Sequence, residues 1–202
     1  MATTQRGRPR AFDREQALER ALRTFWEHGY EATSVAGLTR AMGISPPSLY
    51  AAFGDKRALF EEVLEVYGQT YGAFTGRALA EEPTGRGAVA RLLREAAAEY
   101  TVGGRPAGCL VIAAAVNCTS PEVEEDLRAR RKATIALIER RVREDADAGR
   151  LAPGSDPTVL AHYIGAVIQG MSQQARDGAS RSVLEGIAAL ATAAWPAASS
   201  GA

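Results

Sequence analysis

Two short apolar segments that meet at Gly43 constrain the fold more than any other part of the chain. Their apolar side chains recur at helical spacing, at Val35, Leu38, Met42, Ile44, Leu49 and Phe53. Glycine adopts a positive φ at little cost, so Gly43 suits a tight turn between two helices. Ser34 and Ser45 occupy the positions where a helix N-cap is expected. The segment 34–53 therefore predicts a helix-turn-helix, with the small Thr39 where the two helices cross.

Helix start and stop signals continue along the whole chain, and no alternating strand pattern appears. Asp13 and Gln16 predict the start of a first helix that ends at Gly29. Later helices are predicted over 55–72, 86–100, 107–117, 121–148, 157–176 and from Ser182 to just before Pro196. We therefore expect an all-α protein of about nine helices.

The second helix of the predicted pair could enter a DNA major groove with its N-terminal residues leading. Ser45, Pro47 and Ser48 are small, so they would let the backbone approach the bases. Tyr50 and Lys56 follow at positions suited to phosphate contact. At the start of the preceding helix, Thr33 and Ser34 offer amides and hydroxyls to a phosphate. The alternative is a helix pair that only packs within the protein, since such pairs occur in many proteins that never bind DNA.

The net charge of the chain is zero, but its distribution is uneven. Residues 1–60 hold nine basic and six acidic side chains, and Arg6, Arg8 and Arg10 precede the first helix. Flexible arginine-rich arms can insert into a narrow minor groove, which is the interpretation we favour beside a helix-turn-helix. The alternative is a solvated tail without a binding role.

The run from Thr33 to Phe60 resembles the signature of the TetR/AcrR family of transcriptional regulators. It carries the Gly-Ile-Ser turn at 43–45, Leu-Tyr-x-x-Phe at 49–53 and Lys-x-x-Leu-Phe at 56–60, and the preceding Phe12-Asp13 and Phe25-to-Tyr30 also fit. The resemblance covers about the first 60 residues. It implies a homodimer on a palindromic double-stranded DNA operator, with repression released by a small-molecule effector. Carried over by position, it implies DNA contacts at Thr33, Ser34, Ser45, Pro47, Ser48, Tyr50 and Lys56. Ala51 and Ala52 depart from the family, which often has His or an aromatic residue there, and the alanine side chain has no group that could contact a phosphate.

We expect residues 1–54 to form the DNA-binding domain and residues 55–202 to sense the ligand and dimerise, with helix 55–72 connecting them. For a hydrophobic or amphipathic ligand, the candidate pocket residues are Tyr100, Cys109, Val116, Asn117, Cys118, His162, Tyr163, Gln169 and Gln173. For the dimer interface, the apolar candidates are Leu160, Ile164, Val167, Ile168, Met171, Leu184, Ile187 and Leu190. Part of this apolar stripe is expected to pack inside the monomer instead.

Cys109 and Cys118 are too few for a disulfide framework and lack the spacing of a metal site. An alternative function is a redox or electrophile sensor that uses the Cys109 thiol. A copper sensor on the same scaffold is a less favoured alternative, because the Cys and His residues are not clustered in the sequence. Apolar neighbours of Cys109 argue for a buried structural thiol.

Sequence signatures of hydrolases, zinc proteases and nucleotide-binding enzymes are absent, so we expect neither an enzyme nor a cofactor. A polar N-terminus and the short apolar run 109–116 favour a cytoplasmic protein with reduced thiols.

Overall fold

The computed structural model describes residues 12–198, and within that range the chain is helical with a single isolated β-bridge between Leu151 and Ala197. The ten helices are α1 (Arg14–Ala32), α2 (Val35–Met42), α3 (Pro46–Phe53), α4 (Lys56–Gln69), α5 (Ala73–Glu81), α6 (Gly85–Glu99), α7 (Leu110–Ala113), α8 (Pro121–Asp147), α9 (Pro157–Arg176) and α10 (Arg181–Ala193). The all-α prediction is confirmed. No helix between residues 12 and 198 has the length and apolarity needed to cross a bilayer.

Side-chain caps define the starts of the first four helices. Asp13, Ser34, Ser45 and Asp55 each accept a hydrogen bond from a backbone amide in the first turn, at 3.0, 3.0, 3.3 and 2.8 Å. Each bond satisfies one of the amides that a helix N-terminus leaves without an intrahelical partner. Gly43 ends α2 in the left-handed region at a φ of 71°. The predicted helix-turn-helix is therefore present, with its turn at the predicted glycine.

The helices α1 to α4 pack around an aromatic core. The Phe25 and Phe60 ring centroids lie 4.8 Å apart, and those of Trp26 and Tyr67 lie 5.0 Å apart, both with edge-to-face geometry. Leu38, Met42, Leu49 and Phe53 of the helix-turn-helix are buried in the same core, as the sequence predicted, while Val35 and Ile44 are partly buried. Each fully buried side chain of this size contributes about 1.5–3 kcal/mol. The core extends to Leu110, Val123 and Leu127, so it joins the start of α8 to the DNA-binding end of the chain.

A second apolar core lies between α5, α6, α8, α9 and α10. Beside it, the buried carboxylate of Asp145 near the end of α8 accepts hydrogen bonds from the Gly85 and Arg86 amides, both at 2.9 Å. Gly85 lies so close to α8 that a Cβ there would be 2.4 Å from the Arg141 carbonyl oxygen. The start of α6 is therefore fixed on α8 by contacts that only glycine and an acceptor side chain permit.

The structure differs from the predicted helices at four places. The first helix is interrupted at Gly29, whose φ is 76°, but resumes and ends at Ala32. The helix α5 was not predicted, because it begins after Gly72 without a side-chain cap. The predicted helix 107–117 is reduced to the single turn α7, since Gly108 and Asn117 both have positive φ, at 75° and 58°. The last helix begins after Ser180 rather than at Ser182.

Candidate nucleic-acid interface and ligand cavity

The N-terminal end of α3 presents a polar, exposed surface. Leu49 and Phe53 face the core, which leaves Ser45, Pro47 and the half-exposed Tyr50 ring on the outside. The Ser45 and Ser48 hydroxyl oxygens lie 2.8 Å apart, and the Ser45 oxygen also accepts the Ser48 amide hydrogen. Small side chains, amides of a helix N-terminus and a phenol at its edge form a surface that can approach a phosphodiester backbone.

The two residues that precede α2, Thr33 and Ser34, differ in the hydrogen-bonding groups that are available to a DNA phosphate. Ser34 is exposed, and its hydroxyl oxygen caps Gly37. Thr33 is buried; its hydroxyl donates to the Gly29 carbonyl oxygen at 2.6 Å and its amide donates to the Tyr30 carbonyl oxygen at 3.3 Å. Both donors of Thr33 are thus used within α1, so a phosphate contact from Thr33 would have to replace one of these bonds, and it stays a prediction.

Lys56 lies at the start of α4 and is half-buried. Its ammonium nitrogen lies 4.1 Å from the centroid of the Tyr30 ring, a cation–π contact. Burial lowers the pKa of the Lys56 amine, while the nearby Glu31 carboxylate acts in the opposite direction. A phosphate contact from Lys56 would form either beside the Tyr30 ring or after the ammonium group has left it, and this contact stays a prediction. Arg6, Arg8 and Arg10 lie outside the described residues, and their DNA contact remains a prediction.

A cavity of about 190 Å³ lies between α4, α5, α8 and α9, beside the loop that leads to α7. Its walls are mainly apolar, and they include Leu64, Tyr67 and Gly68 from the connecting helix α4. Polar groups in the lining come from Tyr100, Cys109, Arg130, Arg131, Thr134 and Gln169, among others. A mainly apolar cavity with a few polar groups is the usual form of a small-molecule site.

The structure places some predicted pocket residues at this cavity and others outside it. Tyr100, Cys109 and Gln169 line the cavity. The remaining candidates do not, so their assignment is corrected: they are Val116, Asn117, Cys118, His162, Tyr163 and Gln173. Periodicity could not reveal this, because His162, Tyr163 and Gln173 lie on the solvent face of the apolar helix α9. The lining also contains Arg130 and Arg131, which the sequence does not indicate, since a charged helix such as α8 is typical of a solvated surface.

Cys109 shares the cavity wall with two phenols. Burial raises the pKa of the Cys109 thiol, although hydrogen bonding with the Tyr67 hydroxyl and the Ile112 amide acts in the opposite direction. Burial also raises the pKa values of Tyr67 and Tyr100 well above the usual range, and the neighbouring Cys109 adds to both shifts. A raised thiol pKa reduces the fraction of nucleophilic thiolate at neutral pH. The sensor-thiol hypothesis for Cys109 therefore gains no support from this environment and stays a prediction.

The predicted dimer interface has to be corrected for its most apolar members. Five of the candidates are buried in the core of the same chain and have almost no surface to offer a second copy: Leu160, Ile164, Ile168, Met171 and Leu184. Val167 and Ile187 are partly buried, while Leu190 is 74% exposed. Apolar side chains that the sequence analysis did not choose are exposed on the same two helices, at Val159, Tyr163 and Val183.

Several polar contacts connect the first three helices to the rest of the protein. Arg176 at the end of α9 donates to the Trp26 and Glu27 carbonyl oxygens of α1, at 3.2 and 3.1 Å. The Glu31 carboxylate accepts the Thr119 and Ser120 amides at the start of α8, both at 2.9 Å. These bonds lower the pKa of Glu31. These bonds therefore connect both α8 and α9 to α1.

Family models match both parts of the chain. Residues 17–63 match the model of bacterial regulatory proteins of the TetR family, and residues 88–188 match a tetracyclin repressor-like C-terminal domain. The first match contains the whole helix-turn-helix, and the second contains α8, most of the cavity lining and α9.

Similar proteins extend over nearly the full length. The HTH-type transcriptional repressor ComR of Escherichia coli is 37% identical over 197 residues, which cover 95% of this chain and 92% of ComR. A cysteine mutant of the TetR family transcriptional regulator CifR, solved in complex with 26-base-pair operator DNA, is 44% identical with a TM-score of 0.85, covering 94% of this chain and all of that one. A TetR regulator from Rhodococcus sp. RHA1 is 38% identical with a TM-score of 0.62, covering 92% of this chain and all of its own. With both family models and a full-length relative in agreement, this chain belongs to the TetR family of bacterial regulatory proteins.

Proposed function

We propose that this protein is a DNA-binding transcriptional repressor, acting as a homodimer, that leaves its operator when a small molecule occupies the cavity between α4 and α9. The observation that carries the proposal is the exposed polar end of α3, with Ser45, Pro47 and Tyr50 outside and Leu49 and Phe53 buried. CifR, which this chain resembles along its length, was solved on operator DNA, and ComR is named a repressor. Residues 1–54 would bind DNA, and residues 55–202 would bind the ligand and a second copy.

The connection between cavity and DNA-binding surface runs through α4. Leu64, Tyr67 and Gly68 line the cavity, and the same helix begins three residues after the end of α3. Arg130 lines the cavity from α8 and forms an ion pair with Glu65 of α4 at 2.6 Å. A ligand that moves α8 or α4 would change the distance between the two α3 helices of a dimer. Adjacent major grooves on one face of DNA are about 34 Å apart, so a modest change in that distance weakens binding.

A mobility-shift titration tests the proposal. The full-length protein is titrated onto a duplex from the region upstream of its own gene, at increasing salt concentrations. We expect saturable binding that weakens steeply with salt, because Lys and Arg contacts to phosphates release counterions. No retarded complex at low salt would contradict the proposal.

Tyr50→Phe is expected to weaken binding about ten-fold on every duplex, operator or not, because it removes one hydroxyl that donates to a phosphate. The measurement is the dissociation constant on the operator and on an unrelated duplex of equal length. Thr70→Val removes a hydroxyl from an exposed side chain at the end of α4 far from α3 and should leave both constants unchanged. A loss confined to one base pair of the operator would show that Tyr50 reads sequence instead.

Leu190→Glu is expected to weaken dimerisation by at least about a hundred-fold. In the proposed dimer the exposed side chains Val159, Tyr163, Val183 and Leu190 of α9 and α10 face their copies, and a buried unpaired carboxylate is costly there. Analytical ultracentrifugation measures the dimer dissociation constant. Val102→Glu, at an exposed apolar position in the loop after α6, is the control and should dimerise normally. Equal dissociation constants for both variants would place the interface elsewhere.

A further inference from the structure

The cavity beside α4 has a definite size. Its volume of about 190 Å³ is slightly larger than an apolar protein cavity of about 150 Å³ that holds benzene. It therefore fits a molecule with one ring, or a branched chain of similar bulk, together with one small polar substituent. Phe74, Ile135 and Ile168 are among the apolar side chains that line it.

Two neighbouring arginines of α8 line the cavity, and their surroundings differ. Arg130 is engaged: it bonds the Glu65 carboxylate at 2.6 Å and the Asp126 carboxylate at 3.1 Å. Within residues 12–198, Arg131 has no carboxylate at ion-pair distance, and its Nη1 atom is buried without a hydrogen-bond partner. Lys132, the next residue, is exposed to solvent.

A buried guanidinium nitrogen without an acceptor is costly, because desolvation is not offset by a new hydrogen bond. Arginine remains charged, so this cost is not relieved by loss of a proton. Because Arg131 lines the cavity, a carboxylate bound there could pair with its guanidinium group, whose planar fork matches two carboxylate oxygens. The remaining polar groups of the lining include the Tyr67 and Tyr100 phenols and the Gln169 amide, which can also donate to an oxygen.

We propose that the ligand of this cavity is a compact organic carboxylate, whose charged group pairs with Arg131 and whose apolar part packs against Phe74 and Ile168. The inference rests on the proposed ligand-sensing function and specifies the chemistry of its ligand. Arg131 is the residue that distinguishes an anion from a neutral molecule of the same shape.

Isothermal titration calorimetry of the full-length protein without DNA tests this directly. The probes are benzoate and phenylacetate, each paired with its neutral amide, benzamide and phenylacetamide. For at least one pair, we expect the carboxylate to bind at least about ten-fold more tightly than the amide. Arg131→Gln should abolish that preference, Arg131→Lys should retain part of it, and Lys132→Gln should bind like the unchanged protein.

The stability of the ligand-free protein gives a second measurement. Arg131→Met is expected to leave Tm unchanged or raise it, because an apolar side chain of similar length replaces a partly buried guanidinium that has, among the described residues, no carboxylate partner and one buried nitrogen without an acceptor. An arginine with a purely structural role would instead lower Tm when removed. Lys132→Met is the control for loss of one charge from the same helix.

Four outcomes would overturn the inference: equal affinity for carboxylate and amide in both pairs, no saturable binding of either carboxylate at millimolar concentration, an unchanged preference in Arg131→Gln, or a marked drop in Tm for Arg131→Met. Because DNA is absent from these measurements, they are independent of the mobility shift. Carboxylate binding without operator binding would refute the repressor proposal and leave this one intact.

Discussion

Gly108→Ala is expected to destabilise the protein by about 3 kcal/mol, because it combines backbone strain with a steric clash. Gly108 has a φ of 75°, where an alanine costs about 1–2 kcal/mol. A Cβ at this position would also lie 2.6 Å from the carbonyl oxygen and 2.8 Å from the hydroxyl oxygen of Ser172 in α9. Both atoms belong to a buried residue, so α9 itself would have to move.

The same substitution, Gly108→Ala, should also disturb the ligand cavity. The Gly108 amide donates to the Tyr100 carbonyl oxygen at 3.0 Å, and the next amide, of Cys109, donates to the Ser172 hydroxyl at 2.8 Å. These two bonds hold the loop between α6 and α7 against α9. Since Tyr100 and Cys109 both line the cavity, we expect Gly108→Ala to weaken ligand binding as well.

Gly104→Ala provides a matched control in the same loop. Gly104 has a similar φ of 80°, but nothing lies within 4 Å of the Cβ that alanine would add. It should therefore show only the cost of the left-handed backbone, about 1–2 kcal/mol. Urea unfolding at one fixed protein concentration measures both variants, because the stability of a dimer depends on concentration. Equal losses would show that the contact with Ser172 contributes nothing.

Local signals in the sequence were sufficient to predict where the helices of the DNA-binding end begin and turn. Asp13, Ser34 and Ser45 cap the helices whose starts they predict, Asp55 caps the helix predicted from residue 55, and Gly43 forms the predicted turn. Each of these features depends on interactions within a few residues of the chain, so the residue type alone indicates the outcome. Thr33 is the exception, because its burial depends on how α1 ends after Gly29.

The C-terminal part required tertiary information. Apolar spacing on α9 identified a face correctly, but it could not indicate whether that face meets a second copy or the chain's own α6 and α8. Ile164 and Met171 are fully buried within the monomer, while the smaller set of exposed apolar residues carries the proposed interface. Likewise, Arg131 on the charged helix α8 is indistinguishable by sequence from its exposed neighbour Lys132.

Asp145→Asn is expected to destabilise the protein by about 2–3 kcal/mol at neutral pH. The carboxylate is 1% exposed and accepts three hydrogen bonds, from the Gly85 amide, the Arg86 amide and the Arg150 guanidinium at 2.9, 2.9 and 2.8 Å. An asparagine has one acceptor oxygen, so its amide group would face a backbone N–H and leave a buried donor without an acceptor. Asp147→Asn, at an exposed position in the last turn of the same helix, should change stability little.

The pH dependence of this loss identifies the carboxylate as its cause. Burial acts to raise the pKa of Asp145, but hydrogen bonds from Gly85, Arg150 and Arg86 outweigh it, and the pKa is lowered overall. A lowered folded-state pKa means that the stabilisation is complete above the unfolded-state value of about 3.9 and is lost as pH falls below it. The difference in unfolding free energy between the unchanged protein and Asp145→Asn should therefore be constant from about pH 5 to 8 and shrink below about pH 4. A difference that stays the same down to about pH 3 would mean that geometry, rather than the charge of Asp145, holds α6 against α8.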